Sequence, residues 1–295
     1  MQALTDITLT GLDVFTTGKV REVYDLGDNL LIVSTDRISA FDCVLPVGIP
    51  DKGKILNTLS VFWFRKLESL CPNHLITSNV DEFPAEVEQY KDVIRDRSML
   101  VRKARRIDVE CIVRGYVSGF AWKQYSETGK VAEFKLPPGL EKNQKLERPL
   151  FTPTTKATGG HDRPITIRQM CEMVGSTQTE YIIAKSLSLY EEAWRYASEH
   201  GIVVVDTKFE FGYLDDEIIL IDEILTPDSS RFLLESDTEG VINLDKQFIR
   251  DFLETTGWDK DSAPPNLPDD VVLECRRRYL LLLEKLMGGL PRWVA

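Results

Sequence analysis

Alternating apolar and polar positions in the first hundred residues predict short strands joined by turns. The clearest pair of strands flanks residues 26–28, a Leu-Gly-Asp turn typical of a hairpin. Residues 57–70 follow a different pattern, with large apolar side chains at helical spacing, and predict an amphipathic helix. The strands predicted in this part of the chain are 19–25, 29–35, 100–102 and 110–115.

The second half of the chain begins with a predicted loop and then alternates between helices and strands. Residues 136–158 are rich in Pro, Lys and Thr, so we expect a long loop there, with residues 136–160 acting as a mobile lid. Two apolar strands, 202–206 and 217–225, are joined by a turn at 214–216. The remaining predicted elements are a helix at 177–200 ended by Gly201, a proline-rich linker at 261–268 and an amphipathic helix at 269–287.

Composition and charge exclude several classes of protein. The chain has 295 residues and a net charge of −11, which suits one large or two ordinary globular domains and argues against a general nucleic-acid binder. No apolar run is long enough to cross a membrane, and the first twelve residues lack the features of a signal peptide. Five cysteines without a C-x-x-C pair indicate reduced thiols, so we expect a cytoplasmic protein.

Three ionisable residues share one face of a predicted strand late in the chain. Asp206, Lys208 and Glu210 alternate directly after a buried Val-rich run, where charges are costly unless they are paired or bound to a ligand. The neighbouring strand leads to Asp222, and pairing of the two strands would bring this residue near Glu210. Two carboxylates beside a lysine suit an Mg²⁺ ion that bridges nucleotide phosphates. The alternative is a solvent-facing sheet surface without a ligand.

Other charged segments contain candidate contacts for an anion. Glu110 and Arg114 share a face of one predicted strand, so they are either a structural ion pair or include an arginine that binds a substrate anion. The turn at 226–231 combines two serines with an arginine, which suits a phosphate. Gly18 and Lys19 lie at the start of the first predicted strand, where a glycine permits close backbone approach to a phosphate. The alternative at this last site is a solvated hairpin.

Ten segments, in this order along nearly the whole chain, form a family pattern: GKVREVY, DRISAFD, IPDKGK, ECIVRGY, TPTTKA, GGHD, DTKFEFG, IDEILTPDSSRF, DKQFIRDFLETTGW and PPNLP. Together they resemble the SAICAR synthetase (phosphoribosylaminoimidazole-succinocarboxamide synthase) family in its longer variant. The resemblance implies an α+β, two-lobed, ATP-grasp-like fold with antiparallel sheets. It divides the chain into a mainly-β nucleotide-binding lobe at 1–105, a central α/β lobe at 106–256 and a C-terminal helical extension at 257–295.

The resemblance also implies a reaction and a set of site residues. The reaction is an ADP-forming ligation of carboxyaminoimidazole ribonucleotide (CAIR) to L-aspartate, through an acyl phosphate and with Mg²⁺ accompanying ATP. Catalysis is assigned to Lys208, Asp206 and His161, and the metal to Glu210 and Asp222. The ATP-binding residues are Gly18, Lys19, Arg21, Arg102 and Glu110. The substrate-binding residues are Asp36, Ser39, Arg114, Ser118, Lys156, Asp162, Ser229, Ser230 and Arg231.

Three positions depart from the family pattern, and two other functions stay open at this point. Phe120 stands where a serine is usual, Thr158 where a glutamate is usual, and Leu233 where a tryptophan is usual. A small-molecule kinase would use the same ATP and metal residues, but it would need no amine. A nucleotide-binding regulatory protein would rarely need two metal carboxylates. We expect small-molecule partners rather than nucleic acid or membrane, and a monomer rather than a homodimer formed through residues 271–287.

Overall fold

The computed structural model describes residues 2–156, 162–236 and 240–294. None of its helices is both long and apolar enough to span a membrane, within these residues. The first elements are β1 Asp13–Thr17, β2 Arg21–Leu26, β3 Asn29–Ser34, β4 Arg37–Ala40, β5 Cys43–Gly48, α1 Lys52–Lys66, β6 Leu75–Thr77, α2 Lys91–Ile94 and β7 Ser98–Arg102. They are followed by β8 Arg105–Tyr116, α3 Gly119–Thr128, β9 Lys130–Val131, β10 Phe134–Lys135, β11 Lys145–Phe151, β12 Thr154–Thr155, α4 Ile167–Val174, α5 Ser176–Glu199, β13 Ile202–Leu214, β14 Glu217–Ile221, β15 Ser230–Ser236, β16 Gly240–Asn243, α6 Gln247–Thr255 and α7 Asp269–Met287.

The first sheet has five antiparallel strands in the order β1-β2-β3-β7-β6. Its central hairpin joins β2 to β3 with Leu26 opposite Asn29, so two residues form the turn. Gly27 has a φ of 76° in this turn, a left-handed conformation that costs glycine no steric strain. The predicted hairpin is therefore confirmed, and it presents the strand that begins at Arg21.

The second sheet has seven strands and forms the centre of the molecule. Its main order is β11-β8-β13-β15-β16, with β12 paired to β8 and β14 paired to β13. The longest strands, β8 and β13, run antiparallel, with Arg114 opposite Asp206, Ile112 opposite Lys208 and Glu110 opposite Glu210. Because side chains alternate between the two faces of a strand, these six residues lie on one face of the sheet. The α+β class with antiparallel sheets is confirmed.

One predicted loop contains regular structure. Residues 145–151 form β11 and residues 154–155 form β12, and both strands pair with β8. The loop prediction for 136–158, and with it a lid spanning 136–160, is therefore wrong over these strands. Pro149 and Pro153 concealed the strand pattern, because proline is unfavourable in strands. The strands form nevertheless, because the backbone N–H and C=O groups along the edge of β8 need hydrogen-bond partners. Residues 157–160 lie outside the described part of the chain.

Several predicted elements have different ends in the structure, and two of them show the physical reason. The helix expected at 57–70 is α1, which begins at Lys52 and ends at Lys66. Gly53 concealed its first turn, because glycine is a poor helix former, yet here a Cβ atom would collide with the backbone of Ser34. The strand expected at 217–225 stops at Ile221, because Asp222 turns the chain with a φ of 63°.

The C-terminal helix α7 has the bounds that its apolar spacing predicts. Pro268 precedes it, and Gly288, with a φ of 72°, ends it in the left-handed conformation typical of a C-cap. Its apolar face joins the same core cluster as α1, α5 and the second sheet. The buried residues on this face are Val271, Cys275, Tyr279, Leu282, Leu283 and Leu286.

We expect that Leu282→Ala lowers the free energy of unfolding by about 2–5 kcal/mol, because a fully buried leucine leaves a cavity when truncated. Leu273, on the opposite side of α7, is 60% exposed. The matched control Leu273→Ala should therefore change the free energy by less than about 0.5 kcal/mol. Urea-unfolding curves of both variants test this packing, and equal effects would contradict it.

Candidate active site

The shared polar face of β8 and β13 is buried, although it consists largely of charged side chains. Arg114, Asp206 and Glu210 are each less than 10% exposed, and Lys208 is half-buried. The alternative of a solvent-facing sheet surface is therefore wrong. Since buried charges are stable only when they are paired, the partners of these groups define the site.

At one end of this face, two lysines bridge three carboxylates. Lys156 Nζ lies 3.1 Å from Glu110 Oε1 and 2.7 Å from Glu210 Oε1. Lys208 contacts Glu210 and lies 3.4 Å from Asp222 Oδ2 and 3.5 Å from Glu110 Oε1. The sequence prediction that Glu210 and Asp222 come together is confirmed, since Lys208 touches both of them. We call these five residues the carboxylate–lysine cluster.

The first sheet reaches the carboxylate–lysine cluster through Arg21. Its Nη1 donates to Asp222 Oδ1 at 2.6 Å, and its Nη2 contacts Glu223. Gly18 and Lys19 lie just before this strand, where Gly18 N donates to Arg21 O at 2.8 Å and the half-exposed Lys19 pairs with Asp42. Of the three residues predicted to bind ATP phosphates, Arg21 therefore contacts the cluster directly, and Gly18 and Lys19 lie two to three residues before it along the chain.

Electrostatics favour the charged forms of Asp222, Glu110 and Lys208. Burial alone would raise the pKa of Asp222, but Arg21 and Lys208 hold it well below its ordinary value. Burial opposes ionisation of Glu110 as well, and Lys208 and Lys156 lower the pKa of this carboxyl. Burial would lower the pKa of Lys208, whereas Glu210 and Asp222 raise it well above normal. These three groups are therefore fixed charges at defined positions in the cluster.

The donor set agrees with an ion that is shared with a nucleotide. Among the described residues, no group of three or more His, Cys, Asp or Glu side chains is arranged to enclose a metal by itself. Mg²⁺ commonly takes only one or two protein carboxylates and completes its shell with phosphate oxygens and water. Glu210 and Asp222, which both contact Lys208, offer such a pair.

At the other end of the face lies a cavity of about 180 Å³. Two arginines converge on one carboxylate there: Arg114 Nη1 lies 3.1 Å from Asp206 Oδ2, and Arg231 contacts the same oxygen. Arg231 Nε is buried without a hydrogen-bond partner among the described residues. One carboxylate between two guanidinium groups leaves an excess positive charge, so this cavity suits an anion. Its lining also includes Phe120, Ser229, Ser230, Asp245 and Arg250.

The lining of the cavity depends on a glycine. Gly119 begins α3 with a φ of 52°, and a Cβ at this position would overlap the guanidinium group of Arg231. Ser118, just before it, is buried at the N-terminus of the helix. Across the cavity, Ser230 Oγ and Thr207 Oγ1 are 2.7 Å apart. The two segments predicted to bind a substrate anion, the strand that carries Arg114 and the turn that ends at Arg231, therefore both line this cavity.

Asp36 does not lie on this surface. Its side chain is enclosed in the interior and accepts hydrogen bonds from Leu4 N at 2.8 Å, Gly53 N at 2.8 Å and Arg97 Nη1 at 3.1 Å. Because both of its oxygens are already bonded, the predicted substrate contact is corrected to a structural one. The sequence gives no local sign of this, since the partners are distant along the chain.

The remaining predicted residues make other contacts or lie outside the described part of the chain. Ser39 Oγ accepts from Lys246 Nζ at 3.4 Å, and Arg102 Nη2 donates to Asn73 O at 2.5 Å. Asp162 is exposed. His161 and Thr158 lie outside the described residues. Leu233 is buried on β15.

Sequence reasoning missed a second charge cluster, which is centred on Asp228 in the lining of the cavity. Lys52 Nζ lies 2.7 Å from Asp228 Oδ2, and Lys246 Nζ lies 3.2 Å from the same oxygen. Tyr279 OH donates to Asp228 Oδ1 at 3.4 Å. These residues lie in separate segments of the chain. The only sequence signal for the cluster was that Lys52, Asp228 and Lys246 each belong to one of the ten family motifs.

The pKa of Asp228 leads to a pH-dependent contribution to stability. Burial would raise this pKa, but Lys246 and Lys52 lower it to about 2. A carboxyl whose folded-state pKa is lowered stabilises the fold above its unfolded value of about 4, and loses this effect as the pH falls through the folded value. We expect Asp228→Asn to cost about 3 kcal/mol at pH 7, because two buried lysines lose their partner.

This cost should shrink as the pH falls below about 4. Urea unfolding from pH 7 to pH 3 measures it, with the exposed Asp261→Asn as a matched control that should show little effect at any pH. A cost for Asp228→Asn that stayed constant, or grew, on acidification would contradict the role of the two lysines.

Comparison of the chain with known proteins identifies one family. The family described as SAICAR synthetase matches residues 14–265. The phosphoribosylaminoimidazole-succinocarboxamide synthase of Thermodesulfovibrio yellowstonii is 48% identical over 277 residues, which are 93% of this chain and 95% of that protein. The enzyme of the same name from Geotalea uraniireducens is 48% identical over 275 residues, covering 92% and 93% of the two chains.

Solved structures agree. The SAICAR synthase of Saccharomyces cerevisiae, in complex with SAICAR, superimposes with a TM-score of 0.87 at 40% identity and covers 98% of this chain and 99% of its own. A SAICAR synthetase bound to ADP, at 23% identity and a TM-score of 0.70, shares the fold. On the extent of these matches, the chain belongs to the SAICAR synthetase family.

Proposed function

We propose that the polar face of β8 and β13 is the catalytic surface on which this enzyme, an ADP-forming ligase of CAIR and L-aspartate in purine biosynthesis, converts a carboxylate into an acyl phosphate. The observation that carries the proposal is the continuity of the face. The carboxylate–lysine cluster lies at one end and the arginine-lined cavity at the other, and Asp206 and Lys208, two residues apart on β13, connect them. ATP at one end and the carboxylate of CAIR at the other can therefore be held close together on one rigid pair of strands.

The nucleotide end is assigned to the carboxylate–lysine cluster. Gly18, Lys19 and Arg21 would lie along the ATP phosphates, and Glu210 with Asp222 would hold Mg²⁺. When bound, this ion neutralises phosphate charge and fixes the orientation of the phosphates. Arg102 and Glu110 complete the proposed nucleotide contacts, although Glu110 lies within the cluster itself and is close enough to Lys208 to orient it.

The substrate end is assigned to the cavity. Arg114, Ser230 and Arg231 surround a space with excess positive charge, which suits the ribose phosphate of CAIR. Asp206 would then accept a hydrogen bond from the substrate. The remaining proposed substrate contacts are Ser39, Ser118, Lys156, Asp162 and Ser229.

The chemistry follows from the charges on this face. A carboxylate is a poor electrophile, so one of its oxygens attacks the γ-phosphorus of ATP and ADP leaves, which gives an acyl phosphate. The amine of aspartate attacks the acyl carbon, the carbon–oxygen bond to phosphate breaks, and the nitrogen loses a proton. Lys208 lies where it can stabilise charge on the transferring phosphoryl group. His161 is the proposed base for the amine proton.

Further proposals concern organisation. The lobes proposed at 1–105 and 106–256 are supported by the first sheet, which ends at Arg102, and the second, which begins at Arg105. Residues 257–295 form the proposed helical extension, whose α7 packs on the common core. A biosynthetic role on small, charged metabolites supports a cytoplasmic location, and a monomer is proposed.

Removing either proposed metal carboxylate should abolish most of the activity. We expect Glu210→Gln and Asp222→Asn each to lower kcat by about 100-fold or more, because fixed charge at the phosphates is lost. ADP release with CAIR, aspartate and MgATP is the measurement, repeated over a range of Mg²⁺ concentrations. Glu217→Gln, the same change at an exposed position on β14, should leave kcat unchanged. Variants that kept more than half of the activity would overturn the metal assignment.

The acyl phosphate can be tested with labelled oxygen. CAIR labelled with ¹⁸O in both oxygens of its carboxylate should yield phosphate that carries one ¹⁸O atom, because the oxygen that attacks phosphorus leaves with it. Mass spectrometry of the released phosphate makes the measurement. Unlabelled phosphate would exclude phosphorylation of the carboxylate. Sustained ADP release without aspartate would instead indicate a kinase.

A further inference from the structure

Asp228 anchors the loop between β14 and β15, and it belongs to the lining of the cavity. Its carboxylate is enclosed, with a side chain only 2% exposed, and the residues that directly follow it, Ser229 to Arg231, line the cavity. Lys52 and Lys246 both contact Asp228 Oδ2, at 2.7 and 3.2 Å. The position of this carboxylate therefore determines where the cavity-lining loop lies.

The C-terminal helix reaches the same anchor by two contacts. Tyr279 OH donates directly to Asp228 Oδ1 at 3.4 Å. One turn earlier, Arg276 donates two hydrogen bonds to Asp51 Oδ2, from Nε at 2.9 Å and from Nη2 at 2.6 Å. Asp51 immediately precedes Lys52 and has a φ of 64°, a strained conformation that its surroundings must hold. Because residues three apart share a helix face, α7 holds both ends of the Lys52–Asp228 pair.

An anchor that only stabilised the fold would not need a buried ion pair such as Lys52–Asp228. Lys52 is fully buried, and a buried ion pair is often no more stabilising than apolar residues of similar size. Its geometry, however, is directional, since one oxygen of Asp228 accepts a hydrogen bond from Lys52 while the other accepts one from Tyr279. Directional contacts fix orientation, and a displacement of about 1 Å at a binding group can be costly for catalysis.

We propose that Lys52, Arg276 and Tyr279 are positioning residues through which α7 holds Asp228, and with it Ser229 to Arg231, in the geometry that binds the anionic group of the substrate. The inference rests on the proposed function, because it places that anionic group in the cavity. It extends the site to a helix that does not touch the cavity.

Lys52→Met tests the proposal with a nearly isosteric change that leaves Asp228 paired with Lys246. We expect the KM for CAIR to rise about tenfold, while the KM for ATP changes less than twofold. Lys54→Met is the matched control, since Lys54 lies on the same helix and points toward Trp293 instead; it should leave both KM values unchanged. A structural role alone would lower the melting temperature and the active fraction but leave the KM for CAIR unchanged, which would overturn the proposal.

Milder variants keep the test decisive if Lys52→Met fails to fold. Tyr279→Phe removes only the hydroxyl, and Arg276→Gln releases Asp51. Each should raise the KM for CAIR about three- to fivefold. Arg277→Gln is the control for Arg276→Gln, because Arg277 pairs with Glu274 on the exposed side of α7. Equal KM values for Arg276→Gln and Arg277→Gln, together with an unchanged Tyr279→Phe, would overturn the proposal.

Two further variants separate this inference from the function on which it rests. Arg231→Met removes a group proposed to touch the substrate, so an unchanged KM for CAIR in this variant would overturn the placement of the anion and the inference together. A raised KM in Arg231→Met with unchanged values in Lys52→Met and Tyr279→Phe would overturn the inference alone. In an Asp228→Asn background, Lys52→Met should add no further increase; an additive increase would show that Lys52 acts independently of Asp228.

Discussion

Alternation of charge sign across the β8–β13 face is the constraint on which the site depends. Glu110, Glu210 and Asp222 all contact Lys208, and in this buried environment they would repel one another without cations between them. Lys156 and Lys208 supply those cations, and the strand register fixes their positions. The same register places Asp206 between two arginines at the far end. A shift of one residue would turn all of these groups to the opposite face, so register and chemistry are inseparable.

Local periodicity was enough to predict much of this surface. Alternation places Asp206, Lys208 and Glu210 on one face, and a helix spacing defines α7 to the residue. Pro149 concealed the strand β11, because proline is unfavourable in strands. This strand forms by pairing with β8, and a local sequence pattern does not show such a pairing. Arg21 and Asp222 are 201 residues apart, and no local pattern encodes such a contact. The burial of Asp36 and the cluster around Asp228 were missed for the same reason.

The two sheets and the C-terminal helix have different parts in the site. The second sheet supplies a rigid face, the first sheet contributes the strand that begins at Arg21, and α7 stands behind the loop that follows β14. Rigid elements suit groups that must be held within a fraction of an ångström. The loop after β14 enters β15 at Ser230, and the first residues of β15 pair with β13. The buried Lys52–Asp228 ion pair adds a side-chain constraint just before this point.

The Arg21–Asp222 contact couples two events that are otherwise separate. If Asp222 holds the divalent ion as proposed, the ion would compete with the guanidinium group of Arg21 for the same carboxylate. By thermodynamic reciprocity, whatever weakens the Arg21–Asp222 contact would then favour the ion, and binding of the ion would weaken the contact by the same free energy. The contact between the first sheet and Asp222 would thus be linked to the affinity for the ion.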